Sequence, residues 1–152
     1  MLSHGDLVKK VFVLIETGYI KQAGASLTED FEYIGPLPEP IRKNQFLNLH
    51  QALVSALPDW SYNIRMLQEE DDTVSLRTHI TGTHTQELHI PSMGVHSPAT
   101  GRRIVMPLEP IEVKIRENRI ASITVGRVRN GGVMGLLEQI GVELPIPAGA
   151  AV

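Results

Sequence analysis

The spacing of apolar residues predicts helices in the first third of the chain. Apolar side chains recur every three or four positions over residues 7–15, which is typical of an amphipathic helix with one buried face. Ser3 or Asp6 can cap the start of this helix, and Gly18 can end it. The same spacing over residues 41–57 predicts a second long helix.

From residue 60 onward apolar and polar positions alternate, which predicts β-strands. The predicted strands are 31–34, 60–68, 73–83, 104–116 and 119–128, and a short helix follows at 133–140. Pro107 and Pro110 predict a break or bulge in the strand at 104–116. Because helices come first and strands afterwards, the sequence predicts an α+β domain with N-terminal helices packed on a curved, mostly antiparallel sheet. Such a sheet can enclose a pocket on its concave side.

Composition narrows the class of protein. The chain has 152 residues, which fits one domain, and we expect this domain to span residues 1–144 with a flexible tail at 145–152. The net charge is −3 without a cluster of Lys and Arg, which argues against nucleic acid as a partner. No signal peptide and no apolar run long enough to span a membrane are evident, so we expect a cytoplasmic protein. Disulfides and cysteine nucleophiles are excluded, because the chain has no cysteine.

Five short motifs follow one another in the order typical of a known family. They are Ala-Leu-Pro-Asp-Trp at 56–60, Thr-Gly-Thr-His-Thr at 81–85, Ala-Thr-Gly-Arg-Arg at 99–103, Glu-Asn-Arg-Ile at 117–120 and Met-Gly-Leu-Leu-Glu-Gln-Ile-Gly at 134–141. With these motifs the chain resembles the SnoaL-like polyketide cyclases of the nuclear transport factor 2 superfamily. The resemblance implies a cone-shaped fold with a deep apolar pocket, often a homodimer, and ring closure by aldol condensation without metal or cofactor.

The chain departs from this family where the family keeps its acid/base group. The aligned stretch at 123–129 contains no carboxylate, and Gly35 stands where the related steroid isomerases place an Asp base. We therefore expect activity on polyketide-type aldol substrates to be weak or absent. The segment 86–103 is longer than the family norm, and its prolines and glycines predict an irregular loop that either covers the pocket as a lid or packs elsewhere.

Two histidines are candidates for the missing base. His50 lies on the apolar face of the second helix, where it is either a poised base or a core histidine with one hydrogen bond. His79 shares a strand face with Ser75 and Arg77, and this face is either the pocket or the dimer surface. Glu112 is expected to face outward, because its apolar neighbours along the strand fit the core better.

Four further residues are candidates for contact with a ligand. Tyr33 and Trp60 can supply an aromatic wall and hydrogen-bond donors, or they can simply fill the core. His84 belongs to a family-like motif, where it either contacts the ligand or stabilises a turn, and Met93 is an apolar residue of the possible lid. The histidines at 84, 89 and 96 match no metal-ligand spacing, so no metal is expected. The resemblance to the family implies that no cofactor is needed either.

Three functions remain open at this point. The chain is a cofactor-free cyclase or isomerase that acts on a small hydrophobic carbonyl compound, a binding module that has lost its base, or a dimerisation domain. A homodimer through the outer face of the sheet is expected, and Thr78, Ile80 and Val113 are taken as apolar residues of that face.

Overall fold

The computed structural model describes residues 2–37 and 39–142. The predicted tail at 145–152 and the end of the predicted domain therefore lie outside the described residues. The helices are α1 (His4–Glu16), α2 (Ile20–Gly24), α3 (Lys43–Ala56) and α4 (Gly132–Gln139). The strands are β1 (Leu27–Ile34), β2 (Ile41–Arg42), β3 (Arg65–Glu70), β4 (Thr73–Thr78), β5 (Thr81–Thr83), β6 (Leu88–Ile90), β7 (Val95–Ser97), β8 (Arg103–Val105), β9 (Glu109–Arg116) and β10 (Arg119–Val125).

The two long helices begin and end where local chemistry dictates. Ser3 caps α1, since its hydroxyl accepts a hydrogen bond of 3.1 Å from the backbone N–H of Asp6. At the start of α3 the Gln45 side chain accepts from the backbone N–H of Arg42 at 2.9 Å. α1 and α3 turn their apolar stripes toward the sheet, and burial of each large apolar side chain contributes about 1.5–3 kcal/mol to stability.

Six strands form one mixed sheet in the order β2-β1-β10-β9-β4-β3. β1 pairs in parallel with β10, and all other neighbours in this sheet are antiparallel. The three N-terminal helices pack on one face of the sheet, and the second long helix also contacts β6. The predicted α+β cone, with helices on a curved and mostly antiparallel sheet, is confirmed by this arrangement.

Alternation along the central strands places the core. β9 buries every second residue, beginning with Glu109 and continuing through Ile111, Val113 and Ile115. β4 buries Val74, Leu76 and Thr78 in the same way. The inner face of the sheet is therefore apolar, except near the end where Thr78 pairs with Glu109.

The prediction of an irregular loop over residues 86–103 is wrong. β6 and β7 form a hairpin there, closed by a turn in which Gly94 adopts a left-handed φ of 68°. Ile90 and Val95 are buried within this hairpin instead of standing free in a loop. The residues that predicted a break, such as Pro91 and Gly94, form the turn that joins the two strands.

Two predicted strands are each divided in the structure. The strand predicted at 73–83 divides into β4 and β5, which the sequence pattern does not predict, whereas the one predicted at 104–116 divides into β8 and β9 at the break predicted near Pro107. Pro107 lies in the break between β8 and β9, where its missing N–H cannot contribute to a ladder. Each interruption contributes a residue to the cavity lining, Ile80 between β4 and β5 and Met106 between β8 and β9.

Candidate functional site

A cavity of about 60 Å³ lies between the inner face of the sheet and helices α1, α3 and α4. Most of its wall is apolar or aromatic, and its polar groups come from a few side chains. One buried water needs about 10–15 Å³, and a cavity of about 150 Å³ admits benzene. The cavity in this state therefore holds a few waters or a ligand of few atoms, and a larger ligand requires the walls to move.

α3 contributes three lining residues from successive turns of one face. Phe46, His50 and Leu53 are spaced by four and three positions, so they lie above one another toward the cavity. The Phe46 ring lies 5.0 Å from the Tyr33 ring and 4.3 Å from the His50 ring, measured between centroids. The Tyr33 ring meets His50 edge-on at 5.7 Å. This aromatic cluster fixes the position of His50 in the wall.

His50 is a neutral histidine. Its Nδ1 lies 3.0 Å from the carbonyl oxygen of Phe46, which can only accept, so Nδ1 carries the proton and donates. Burial lowers the pKa of His50 to about 4, and the hydrogen bond to Phe46 opposes that shift only in part. At neutral pH, Nε2 is therefore an unprotonated acceptor in an apolar wall.

The lowered pKa of His50 predicts a loss of stability in acid. The unfolded chain binds a proton near pH 6.5, whereas the folded chain resists it until about pH 4, so stability is lost between these values. For a shift of this size the loss between pH 7 and 4.5 is roughly 2–3 kcal/mol. His50→Gln should remove this part of the pH dependence, as measured by urea unfolding at both values. His89→Gln changes an exposed histidine and should lose as much stability between the two pH values as the wild type. If His50→Gln also loses as much as the wild type, the lowered pKa does not belong to His50.

Glu109 is a buried carboxyl group in the cavity wall. Its exposed fraction is 3%, and its Oε2 accepts a hydrogen bond of 3.0 Å from the backbone N–H of Gly132 at the start of α4. Burial raises the pKa of Glu109, and the hydrogen bond from Gly132 counteracts this in part. Within residues 2–37 and 39–142 no Lys, Arg or His forms an ion pair with it. The carboxyl group thus binds a proton more readily than a carboxyl group in water, as an acid/base group in a cavity must.

Two tyrosines complete the polar lining. Burial raises the pKa of Tyr33 above its usual range, and the negative charge of Glu109 adds to the effect. Burial also raises the pKa of Tyr62, with a smaller contribution from Tyr33. Both hydroxyl groups therefore keep their protons at neutral pH and are available as hydrogen-bond donors.

The structure brings together three of the six residues singled out in the sequence. Tyr33, His50 and Trp60 line the cavity, whereas His79, His84 and Met93 lie outside its lining. His79 follows β4 on the half-buried flank of the sheet. No residue of the hairpin segment 86–103 lines the cavity, and the helix that contributes to its wall near Glu109 is α4.

His84 organises the neighbouring chain. Its Nδ1 accepts from the backbone N–H of Thr100 at 3.3 Å and lies 2.9 Å from the Thr100 hydroxyl. The backbone of His84 also bonds to Gly101 and Arg102. These contacts give His84 the turn-stabilising position that the sequence left as an alternative.

Sequence reasoning missed Glu109, although a signal for it exists. Extending the alternation of Ile111, Val113 and Ile115 backward by two positions places Glu109 on the inner face. Pro107 and Pro110 flank this position and predict a break in the strand, which hides the alternation at Glu109. The same alternation correctly places Glu112 outside, where it is exposed.

The expected outer face of the sheet needs a correction. Thr78 and Val113 were taken as apolar residues of that face, but they are 1% and 0% exposed and point inward. Ile80 lines the cavity as well. The outer face instead presents a groove of about 500 Å³ with Met66, Arg77 and Glu112 in its wall.

Two other kinds of site are absent from the part of the chain that the structure describes. In the described part of the chain no group of three or more His, Asp and Glu side chains is placed to hold a metal ion. None of the helices within residues 2–37 and 39–142 combines the length and apolar character needed to cross a bilayer.

Solved structures with the same architecture are known. IdmH from Streptomyces antibioticus, a candidate polyketide cyclase, superposes with a TM-score of 0.69 at 21% identity, covering 93% of this chain and 100% of that one. TsrD from Streptomyces laurentii gives a TM-score of 0.65 at 20% identity over 90% of this chain and 93% of that one. A SnoaL-like polyketide cyclase from Agrobacterium tumefaciens gives 0.65 at 13% identity over 93% and 100%. At these identities the likeness concerns the fold.

Sequence comparison identifies the family. A comparison with curated proteins gives no match. The family model described as SnoaL-like polyketide cyclase matches residues 6–133, which include α1 to β10 and the start of α4. The match covers most of the chain and spans the cavity and its polar groups. The chain therefore belongs to the SnoaL-like polyketide cyclase family.

Proposed function

We propose that the cavity binds a small hydrophobic carbonyl compound and that Glu109 moves a proton at the carbon next to the carbonyl group, without metal or cofactor. Such chemistry underlies both isomerisation and aldol ring closure. The family match and the pocket of the cone fold support this proposal. The chain lacks a carboxylate at 123–129, so in this proposal the group that moves the proton lies elsewhere in the wall.

The burial of Glu109 carries the proposal. A carboxyl group without a cation partner in an apolar wall is costly, and such groups are typical of acid/base sites. Oε2 accepts the hydrogen bond from the backbone N–H of Gly132, whereas Oε1 has no hydrogen-bond partner among the described residues. Glu109 thus takes the place that the sequence analysis gave to His50 or His79.

The proposed step balances with the groups in the cavity. The Glu109 carboxylate takes a proton from the carbon next to the carbonyl group, and the electron pair of the C–H bond moves to the carbonyl oxygen as an enolate. Tyr33 donates a hydrogen bond to this oxygen, since its hydroxyl stays protonated. In a substrate whose enolate is conjugated with a C=C bond, protonated Glu109 returns the proton to the far carbon of that bond, which completes an isomerisation. In a cyclase the enolate carbon instead attacks the carbon of a second carbonyl group, and protonated Glu109 gives its proton to the alkoxide oxygen that forms.

Proton exchange tests the proposal without knowledge of the natural substrate. Pentan-2-one in D₂O loses its α-proton signals in ¹H NMR as deuterium enters. We expect the purified protein to accelerate this exchange above the buffer rate, and the heat-denatured protein to give the buffer rate. Binding of the ketone without accelerated exchange would instead support the non-catalytic binding module.

We also propose a homodimer through the outer face of the sheet. Met66 is 65% exposed beside the groove, and Arg77 and Glu112 offer opposite charges that a two-fold axis can pair between copies. Sedimentation at micromolar concentration should give twice the chain mass of 16.8 kDa. Met66→Asp should shift the protein toward the monomer, and a wild-type monomer would contradict the proposal.

A further inference from the structure

Besides Oε1 of Glu109, two fully enclosed polar groups in the cavity wall have no hydrogen-bond partner among the described residues. The hydroxyl of Thr78 and the indole N–H of Trp60 are fully enclosed, and neither forms a hydrogen bond with any described residue. Both residues line the cavity, with exposed fractions of 1% and 5%. Burial of a polar group without a partner destabilises a protein relative to an apolar side chain of the same shape. Their presence in a mostly apolar wall therefore points to a partner that the cavity receives.

Thr78 lies beside the proposed acid/base group. In the antiparallel pair of β4 and β9, Thr78 stands directly opposite Glu109, and both side chains point inward. Side chains in this position have Cβ atoms about 4.5–5.5 Å apart. No hydrogen bond joins Thr78 to Glu109 in the described structure, so each keeps capacity for a third group in the cavity.

Trp60 lies on another part of the wall. The chain around it runs antiparallel to the segment after β4, with Ser61 bridged to Thr81. Its ring meets Tyr62 edge-on at 5.9 Å. A weak contact with Trp60 lowers the pKa of Tyr62, but no acceptor among the described residues, the Tyr62 hydroxyl included, has hydrogen-bonding geometry to the indole N–H. An indole N–H only donates, so the group that it lacks is an acceptor such as a carbonyl oxygen.

We propose that Thr78 and Trp60 form a polar subsite that binds two oxygen atoms of the ligand. Thr78 contacts the oxygen next to Glu109, and Trp60 donates to a second, acceptor oxygen. The subsite rests on the proposed function and narrows its substrate class to small apolar molecules with two oxygen substituents, at least one of them a carbonyl. A hydrocarbon of the same size leaves both polar groups unsatisfied and is disfavoured.

Three five-carbon probes test this preference: pentane, pentan-2-one and pentane-2,4-dione. Trp60 is the only tryptophan of the chain, so its indole N–H gives a single, identifiable cross-peak in ¹⁵N-resolved NMR. We expect affinity to rise from pentane to pentan-2-one to pentane-2,4-dione. The indole proton should shift downfield with the dione, because it gains an acceptor.

Thr78→Val tests the hydroxyl without changing the shape of the side chain. The variant should keep the melting temperature of the wild type or raise it, because it removes an unpartnered polar group. Its affinity for pentane-2,4-dione should fall about 5–10-fold, as expected for one lost hydrogen bond, while its affinity for pentane should stay the same or rise. Thr28→Val is the matched control, since Thr28 is a buried threonine outside the cavity lining.

The possible outcomes separate the subsite from the proposed function. A wild-type protein that binds pentane as tightly as the dione overturns the subsite, as does a Thr78→Val variant with wild-type preference. Failure of the wild type to bind any probe overturns the subsite together with the proposed function, whereas exchange activity without the dione preference overturns the subsite alone.

If Thr78→Val does not fold, Trp60→Phe should bind pentane normally and lose the preference for the dione over pentan-2-one. Retention of that preference overturns the subsite.

Discussion

Replacing Glu109 by glutamine is expected to lower the rate of α-proton exchange by about 10²–10⁴, the usual contribution of one positioned acid/base group. The amide has nearly the same shape as the carboxyl group, and its oxygen can still accept from the backbone N–H of Gly132. It cannot take a proton at neutral pH, so the fold and the cavity persist while the proposed chemistry stops. The measurement is deuterium uptake by pentan-2-one for wild type and variant at equal concentration.

A matched control shows whether the rate depends on where the carboxylate lies or only on the loss of one carboxylate. Glu112→Gln removes a carboxylate three residues away on the same strand, on the exposed face, and should keep the wild-type rate. The wild-type rate should also fall as the pH drops through the raised pKa of Glu109, because the protonated carboxyl group is no longer a base. Equal rates for Glu109→Gln and wild type would refute the role of Glu109.

Stability offers a second measurement on the same variant. The folded pKa of Glu109 is raised, so its contribution to stability is fully present below the ordinary value of 4.5 and is lost as the pH rises through the folded value. The free energy of unfolding of Glu109→Gln, relative to that of the wild type, should therefore be higher at neutral pH than at pH 4. This gain would show that the wild type retains a destabilising group in its cavity.

The sequence predicts the fold because its signals are local and repeated. The apolar stripe of α1 and the alternation of β9 each involve several positions, so a single exception does not hide the period. The parallel pairing of β1 with β10 could not be predicted, because it joins residues about 90 positions apart and leaves no local pattern. The hairpin at 88–97 was missed for a related reason: Pro91 and Gly94 indicate a turn, but they do not show that the flanking strands pair.

The site was predictable only in part. His50, Tyr33 and Trp60 could be placed in the wall, because each is an amphipathic residue within an apolar pattern. Glu109 was hidden by the prolines at 107 and 110, which predict a break although the strand begins between them. The size of the cavity follows from how side chains of distant segments fit together, and no local pattern encodes it.

Phe46→Ala is expected to produce the largest loss of stability, about 3–5 kcal/mol, as is usual for removal of a buried aromatic ring. Phe46 is 1% exposed and packs on the rings of Phe31, Tyr33 and His50, which cannot all move to fill the space. Since a domain of this kind is stable by only about 5–15 kcal/mol, urea unfolding should show a large shift of the midpoint. Val13→Ala truncates a side chain that is 54% exposed on α1, and it should change stability by less than about 0.5 kcal/mol.

The cavity enlarged by Phe46→Ala should also admit cyclohexanone, with a change in the Trp60 indole resonance that the wild type does not show. A loss below about 1 kcal/mol would mean that the wall around Phe46 collapses into the space, and that the walls, not the ring, set the size of the cavity.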